Sequence, residues 1–184
     1  MRSLHRQHLD RFLASAIPST PGLRGLHIGC GRGARGDYRP AASQRWIDAD
    51  LAGGHVTADV HRLPFRSASF DVVRATEMLY HVDPGQIRHA LGECRRVLRS
   101  GGRFVMTVPL LVPPINPDDL TRLTPNGWHR LLPFSSVTIT ALGGYYSHLV
   151  ITLEHLWRGF AALRPLAWLD TEAYPHALGI VATA

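Results

Sequence analysis

The chain has 184 residues, 45% of them hydrophobic, and a formal net charge of +6. This length is sufficient for one domain with its own buried core, without disulfide support. The two cysteines, Cys30 and Cys94, are therefore expected to be free thiols in a reducing compartment. No continuous apolar run reaches the roughly 18 residues of a membrane span or forms an N-terminal signal core, so we expect a cytoplasmic protein.

The basic character of the chain does not by itself indicate a nucleic-acid partner. All 20 basic residues are arginines, and they are scattered rather than clustered. A solvated basic surface is favoured over a nucleic-acid footprint. Enzymes that modify amino groups of nucleic-acid bases normally carry a polar-Pro-Pro-aromatic signature. The corresponding segment here reads Ala75-Thr76-Glu77-Met78 and lacks it.

The first half of the chain predicts a helix followed by three closely spaced strands. Apolar residues at helical spacing indicate a lead-in helix over 4–17, which Pro18 closes. Strands are predicted at 23–28, 46–49 and 56–60. Only residues 51–55 lie between Asp50, which closes the second of these strands, and the third strand, and this is too few for an ordinary crossover helix.

The second half continues the alternation of strands and helices. Strands are predicted at 69–75, 103–108, 136–141 and 179–183, and helices at 84–98, 124–132 and 145–163, the last of them long or broken. Ser100-Gly101-Gly102 is a stop-and-turn signal before the strand at 103–108. The pattern predicts a single α/β domain with a mostly parallel sheet that carries helices on both faces.

A glycine loop follows the first strand at Gly29, Gly31 and Gly33. Glycine at these positions allows the backbone to approach a bound cofactor that a Cβ would block. The second strand ends in Asp48-Ala49-Asp50, and an acid at this place can accept hydrogen bonds from both hydroxyls of a ribose. The two features together predict an adenosine-containing cofactor.

The order of motifs resembles the class I S-adenosylmethionine-dependent methyltransferases, in particular the type 11 methyltransferase domain group. The resemblance runs from about residue 23 to residue 142. It rests on the glycine loop, Asp50, Ala58-Asp59-Val60, Leu63-Pro64-Phe65, Ser69-Phe70-Asp71-Val72-Val73, Glu77-Met78-Leu79-Tyr80-His81-Val82 and Arg95-Arg96-Val97-Leu98-Arg99-Ser100-Gly101-Gly102. The family implies a Rossmann-like seven-stranded sheet whose last strand is antiparallel, here with a shortened second crossover.

The resemblance implies a set of contacts with S-adenosylmethionine. The glycine loop would face the methionine and ribose, Asp50 rather than Asp48 would hold the ribose, the 59–60 pair would bind adenine, and the 75–76 pair would close the methionine end. The implied cofactor-binding residues are Gly29, Cys30, Gly31, Gly33, Asp50, Leu51, Asp59, Val60, Ala75 and Thr76.

One departure from the family concerns the cofactor's ammonium group. Relatives usually have an acid two positions before the first glycine, where this chain has His27. A neutral imidazole does not attract the ammonium group. Either affinity is lower, Glu77 or Asp71 compensates, or binding has decayed.

The substrate side is expected to carry Glu77, Arg122, Tyr145 and Tyr146. A stretch over 116–127 and another over 142–146 are similar to relatives associated with cell-envelope sugar and lipid pathways, which places Arg122 on the substrate side. A structural salt bridge for Arg122 and core packing for the tyrosines are the competing interpretations. His81 is the candidate general base, and a packed histidine is the alternative. His5 and His8 are expected at the surface, and no metal set is apparent.

The sequence therefore predicts a methyltransferase that moves a methyl group to oxygen or nitrogen of a small molecule. The alternative is a non-catalytic module of the same fold that binds S-adenosylmethionine or S-adenosylhomocysteine. A nicotinamide-dependent oxidoreductase is disfavoured because Ala34 stands where a third glycine would follow Gly31 at Rossmann spacing. Residues 1–184 are expected to form one domain, with 1–20 as the lead-in helix, 23–108 as the cofactor half and 109–184 as the substrate half.

Overall fold

A computed structural model describes residues 3–31, 38, 40–112, 116–171 and 173–184. In these ranges the four α-helices are α1 (Leu4–Ala16), α2 (Ile87–Val97), α3 (Pro125–Leu131) and α4 (Tyr145–Leu156). The strands are β1 (Arg24–Ile28), β2 (Arg45–Asp50), β3 (Val56–Thr57), β4 (Phe70–Thr76), β5 (Leu98–Pro109), β6 (Ser136–Leu142) and β7 (Ala177–Thr183). Two 3₁₀ helices cover Leu79–His81 and Arg158–Leu169.

The seven strands form one sheet in the order β3-β2-β1-β4-β5-β7-β6. Strands β1 to β5 pair in parallel, and β7 is antiparallel to both β5 and β6. This confirms the predicted Rossmann-like sheet with an antiparallel last strand. The shortened second crossover is also confirmed, since only residues 51–55 separate β2 from β3.

Helices cover both faces of the sheet because alternate side chains of each strand point to opposite sides. On one face, α2 packs through Leu91 and Cys94, and α3 through Trp128, against a core that includes Phe104 of β5. On the other face, α1 packs its Leu9, Phe12 and Leu13 side chains against the central strands. Helix α4 contacts the start of α1 through Val150 and Ile151.

Side-chain caps fix the start of two helices. The Ser3 hydroxyl accepts a hydrogen bond from the Arg6 N–H, and the Thr124 hydroxyl accepts one from the Gly127 N–H. Pro125 occupies the first turn of α3, where its missing N–H costs nothing. Both helices therefore begin where the sequence places them.

The structure differs from the predicted elements at several boundaries, of which three have a clear local cause. Strand β3 ends at Thr57 rather than 60, because Asp59 starts a turn that closes on Arg62. Helix α2 begins at Ile87 because Asp83 organises a preceding turn. The helix predicted over 145–163 is broken at Trp157, where the backbone is extended.

The segment Ser100-Gly101-Gly102 forms the predicted turn, but inside β5. Leu98 pairs with Phe70, and pairing resumes at Arg103 with Val72, so the residues between them bulge from the ladder. Gly101 adopts a φ of +72°, which favours glycine. Within the described part of the chain, no helix has the length and apolarity needed to cross a membrane.

The packing of α2 gives a stability prediction. Leu91 is fully buried, whereas Leu156 at the end of α4 is 76% exposed. We expect Leu91→Ala to lower the free energy of unfolding by about 2–5 kcal/mol, because it removes buried methyl groups and leaves a cavity. Leu156→Ala is the matched control, with an expected change within about 0.5 kcal/mol. Urea unfolding measures both, and equal losses would contradict the assignment of α2 to the core.

Candidate functional site

The loop after β1 turns through two glycines in the left-handed region, with φ of +69° at Gly29 and +67° at Gly31. The Gly29 N–H donates to the Ala49 carbonyl of β2 at 2.8 Å. A Cβ at Gly29 would lie 2.0 Å from Cγ of Met78, so this position is closed to larger residues by contact as well as by conformation. The loop therefore brings bare backbone to the carboxyl edge of the sheet.

Asp50, the last residue of β2, is held by this loop. Its carboxylate accepts hydrogen bonds from the Gly31 N–H at 2.8 Å and from the Ala52 N–H at 3.0 Å. A carboxylate has about four lone-pair sites, so two remain for a ligand. Asp48 instead contacts His27, with 3.3 Å between Oδ1 and Nδ1. Asp50 is thus the acid presented at the edge, and its ribose role stays a prediction.

A cleft of about 350 Å³ lies beside this loop, at the carboxyl ends of β1 to β3. One wall is apolar and consists of Ile28, Leu63, Met78 and Val82, together with Ala49 and Ala58. Four carboxylates line the cleft, from Asp50, Asp59, Asp83 and Asp118. A volume above 300 Å³ with a mostly apolar lining and a few polar groups is typical of a small-molecule site.

Asp59 lies at the far end of the cleft and is organised by His61. Its Oδ1 accepts hydrogen bonds from the His61 backbone N–H at 2.9 Å and from the His61 ring at 2.7 Å. These bonds, the backbone one first, hold the pKa of Asp59 below its usual range. His61 also lines the cleft, and the sequence analysis missed it. The signal that points to it is an aspartate two residues upstream, which is the spacing of an Asx turn.

The Leu63-Pro64-Phe65 segment is anchored to α2 by an ion pair. The Leu63 N–H donates to Glu93 at 2.9 Å, and the Arg96 guanidinium donates to the carbonyls of Leu63 and Phe65 at 3.0 and 2.8 Å. Arg96 and Glu93 also bond to each other at 2.6 Å. Two motifs of the sequence are therefore one structural unit that supports a wall of the cleft.

His27 is buried and stands between two charged groups. Asp48 of β2 and Arg74 of β4 are its direct register neighbours on the two adjoining strands. Nδ1 of His27 lies 2.7 Å from Nη2 of Arg74 and 3.3 Å from Oδ1 of Asp48. The contact with His27, followed by other nearby cations, lowers the pKa of Asp48 despite partial burial. An acid is therefore present beside position 27, as Asp48 on the adjoining strand β2.

Neither acid proposed as compensating for His27 lies in the cleft. Asp71 is near the opposite, amino-terminal end of β4, where it accepts from the Arg24 N–H at 2.6 Å and pairs with Arg99 at 2.8 Å. Glu77 faces a different cavity. The expectation that Asp71 compensates is therefore wrong, because its strand position places it at the other edge of the sheet.

The predicted cofactor residues divide into three groups. The cleft is lined by Gly29, Asp50, Leu51, Asp59 and Val60. The others that the structure describes do not line it: Cys30 and Gly31 continue the glycine loop, while Ala75 and Thr76 are buried at the end of β4. Gly33 lies outside the described residues. Burial and the carboxylates of Asp48 and Asp50 raise the pKa of the Cys30 thiol, which does not favour a reactive thiolate.

A second, smaller cavity of about 40 Å³ lies on the other side of the chain that follows β4. It is lined by His5, Glu77, Tyr80, Pro109, Val112, Asp119 and Arg122. The structure therefore brings together two predicted substrate-side residues, Glu77 and Arg122. Arg122 forms an ion pair with Asp119 and lies over the Tyr80 ring, 5.1 Å from its centre. Burial, followed by the charges of Glu77 and Asp119, raises the pKa of Tyr80 to about 12.

The other predicted site residues, His81, Tyr145 and Tyr146, do not line the smaller cavity. His81 lines the larger cleft, with Nδ1 3.0 Å from the carbonyl of Asp118 and 3.2 Å from its carboxylate. Tyr145 is 52% exposed and packs edge-on against Tyr146 and Tyr174. Neither Tyr145 nor Tyr146 is among the residues that line the two cavities described here.

Sequence reasoning missed the histidines that adjoin the smaller cavity. His5 and His8 were expected at the surface, but both are partly buried and bond to His176, which is fully buried. The expectation is wrong for a structural reason: α1 packs on the sheet with this side of the helix facing the start of β7. Their i, i+3 spacing on one helix face was the available signal.

The Glu93–Arg96 unit gives a pH prediction. Hydrogen bonds from Arg96 hold the pKa of Glu93 below its ordinary value. Its stabilising contribution is therefore present above that ordinary value and is lost as the pH falls through the lowered pKa. We expect Glu93→Gln to cost about 1–3 kcal/mol at neutral pH.

The difference between wild type and Glu93→Gln should shrink as the pH falls from about 6 to about 3. Urea unfolding at several pH values measures it. Arg99→Gln, which affects a more exposed ion pair, is a control with a smaller expected loss. A difference that stays constant with pH would show that the carboxylate of Glu93 is not the stabilising group.

Residues 26–106 match a family model described as "Methyltransferase domain". Among curated proteins, the chain is 33% identical over 121 residues to 27-O-demethylrifamycin SV methyltransferase of Amycolatopsis mediterranei, covering 55% of this chain and 44% of that protein. It is 36% identical over 117 residues to a 37.1 kDa protein encoded in a transposon of Streptomyces fradiae, and the match covers 53% of this chain and 33% of that protein. The chain thus spans less than half the length of these two relatives.

The fold also occurs in solved structures at low sequence identity. A SAM-dependent methyltransferase from Archaeoglobus fulgidus superposes with a TM-score of 0.64 at 18% identity, covering 97% of this chain and 94% of that one. Phosphoethanolamine N-methyltransferase 2 of Haemonchus contortus, in complex with S-adenosyl-L-methionine, superposes with a TM-score of 0.64 at 14% identity. The match covers 96% of this chain and 52% of that one. At such identities the likeness concerns the fold.

Proposed function

This chain contains a methyltransferase domain of the class I, S-adenosylmethionine-dependent family, and we propose that it transfers a methyl group to an oxygen or nitrogen of a small-molecule acceptor. The observation that carries the proposal is the bond between the Gly31 N–H and the Asp50 carboxylate at the mouth of the larger cleft. It holds the Asp50 carboxylate beside the glycine loop and leaves lone pairs of that carboxylate for the hydroxyls of a ribose.

The residues around the cleft fit the cofactor of this family. The left-handed glycines bring bare backbone to the edge of the cleft, and Asp50 supplies the acceptor for the ribose hydroxyls. The apolar wall that includes Leu63 and Met78 suits a flat adenine, and Asp59 with Val60 lies beside it. When bound, S-adenosylmethionine supplies a methyl group already activated by its sulfonium centre.

Charge supports the same assignment. The cofactor carries a positive sulfonium, which the overall charge of +6 repels. Four carboxylates in the cleft reverse the local sign, because a concave site focuses the field of the groups that line it. A locally negative cleft in a basic protein is the arrangement that a sulfonium ligand requires.

The acceptor chemistry is the less constrained part of the proposal. The similar proteins include 27-O-demethylrifamycin SV methyltransferase by sequence and a phosphoethanolamine N-methyltransferase by fold. Oxygen and nitrogen acceptors are both consistent with the carboxylate and imidazole groups of the smaller cavity. We further propose that residues 1–184 form one domain, that the acceptor is not a nucleic acid and that the protein is cytoplasmic.

A non-catalytic module that binds the cofactor is the second candidate function. The observation that favours it is the buried Arg74 guanidinium beside His27, since a cation near the glycine loop opposes the ammonium group of the cofactor. Methyl transfer from labelled S-adenosylmethionine to a panel of alcohols, phenols and amines distinguishes the two. Tight cofactor binding without turnover of any acceptor would favour the module.

Calorimetric titration with S-adenosylhomocysteine tests the assignment of the cleft. Loss of hydrogen bonds to a charged group costs about 1.5–3 kcal/mol, so Asp50→Ala should weaken binding by about 10-fold to 100-fold. Asp83→Ala removes the same charge from the same cleft and should have a clearly smaller effect. Equal affinities for wild type and Asp50→Ala would refute the ribose assignment, and no wild-type binding at millimolar concentration would refute the function.

A further inference from the structure

Glu77 is held in an unusual backbone conformation at the end of β4. Its φ is +50°, a region that residues with a Cβ rarely occupy. The Glu77 N–H donates to the Thr107 carbonyl at 3.0 Å, which fixes the turn. Its Oε1 is buried and has no hydrogen-bond partner among the described residues. Strain of this kind, together with a buried acceptor atom that is not used, is typical of functional sites.

A row of three histidines, His5, His176 and His8, begins at Glu77. Nε2 of His5 lies 3.3 Å from Oε2 of Glu77, and Nδ1 of His5 lies 3.0 Å from Nδ1 of His176. Nε2 of His176 lies 2.8 Å from Nδ1 of His8. Each of His5 and His176 therefore uses both ring nitrogens in the same series. We call these three residues the histidine chain.

The central member of the histidine chain is neutral. His176 is fully buried, and this burial, followed by the proximity of His5, His8 and His148, lowers its pKa to about 2. A neutral imidazole has one N–H and one lone pair. His176 must then donate to one of its two histidine neighbours and accept from the other, so the chain of hydrogen bonds has a direction.

The carboxylate of Glu77 determines that direction. A carboxylate presents lone pairs to Nε2 of His5 at 3.3 Å, so the His5 tautomer that carries its proton on Nε2 is favoured. Nδ1 of His5 then accepts from Nδ1 of His176, and Nε2 of His176 accepts from Nδ1 of His8. The opposite direction would place a lone pair of His5 against the carboxylate.

We propose that His5, His176 and His8 are positioning residues that aim the carboxylate of Glu77 into the smaller cavity, where it takes the proton of a methyl acceptor. The inference rests on the function proposed above and narrows it. The acceptor would be an alcohol or a protonated amine, which keeps its proton at neutral pH, rather than an already ionised group. A cavity of about 40 Å³ holds the few atoms of such a reacting end, since one water needs about 10–15 Å³.

In the proposed step, a methyl group moves from sulfur to the acceptor and a proton moves from the acceptor to Glu77. The acceptor oxygen or nitrogen forms a bond to the methyl carbon as the bond from that carbon to sulfur breaks, and the electron pair of that bond stays on sulfur. The acceptor's O–H or N–H proton passes to Oε1 of Glu77. The products are the methylated acceptor, S-adenosylhomocysteine and a neutral Glu77, which returns its proton to solvent after the product leaves.

Other charged groups face both ends of the chain. At the inner end, Arg122 and Asp119 form their own ion pair beside the cavity. At the outer end, Arg11 and Asp170 act on His8 with opposite sign, and burial with Arg11 lowers the pKa of His8. His8 is therefore suited to remain the neutral donor that the direction requires.

The test is the position of the ring protons, read from long-range ¹H–¹⁵N spectra of histidine-labelled protein at neutral pH. In the wild type we expect the proton on Nε2 of His5 and on Nδ1 of His176. In Glu77→Leu the acceptor for Nε2 of His5 is removed, so the proton of His176 is no longer held on Nδ1 and should also be found on Nε2. His129→Gln, on the exposed side of α3, is the control and should leave it unchanged.

His5→Ala gives a second reading should Glu77→Leu fold poorly. Without its inner partner, His176 is no longer confined to the tautomer protonated on Nδ1, so the tautomer protonated on Nε2 should gain population. A wild-type His176 protonated on Nε2, a doubly protonated His176 at pH 6, or a proton position unchanged in the folded variants would overturn the inference.

Titration with S-adenosylhomocysteine on the same samples separates the two proposals. Glu77→Leu should bind it within about twofold of wild type, because Glu77 does not line the cofactor cleft. Absence of wild-type binding would refute the function, whereas retained binding with an unresponsive His176 would refute only the histidine chain. With an acceptor from the panel, Glu77→Leu should lower kcat by about 10²–10⁴.

Discussion

Main-chain geometry at the end of β1 governs the rest of the site. Gly29 and Gly31 turn the chain through the left-handed region, and the Gly31 N–H reaches the Asp50 carboxylate. This one hydrogen bond joins the glycine loop to β2 and sets where an acid meets exposed backbone. Because β1 and β2 pair in parallel, both components end at the same edge of the sheet. The cleft exists because these two ends are fixed together.

A row of three side chains lies behind this loop and includes the histidine at position 27. Strand register places Asp48, His27 and Arg74 side by side on one face of β2, β1 and β4. A buried guanidinium requires compensating partners, and Arg74 finds the Tyr38 carbonyl at 2.8 Å and the His27 ring. The change at position 27 is therefore part of a coordinated set, in which the negative charge lies one strand away on Asp48.

The sequence was sufficient for the sheet and its antiparallel last strand, because glycine loop, acid and stop-and-turn motifs are local patterns with fixed spacing. The ends of β3 and α2 were misplaced, since the Asp59 and Asp83 turns compete with the regular elements. The histidine chain was not predictable. His5 and His176 are 171 positions apart, and only the insertion of β7 between β5 and β6 brings the start of β7 against α1.

Two cavities lie on opposite sides of the segment that leaves β4, with Met78 in one and Glu77 in the other. The proposed function depends on the cofactor lying in the larger cleft. A crystal structure of the chain with S-adenosylhomocysteine tests this claim directly. The account predicts both ribose hydroxyls within hydrogen-bonding distance of Asp50 and adenine beside Asp59. Ligand bound elsewhere, or a cleft without ligand density at saturating concentration, would contradict it.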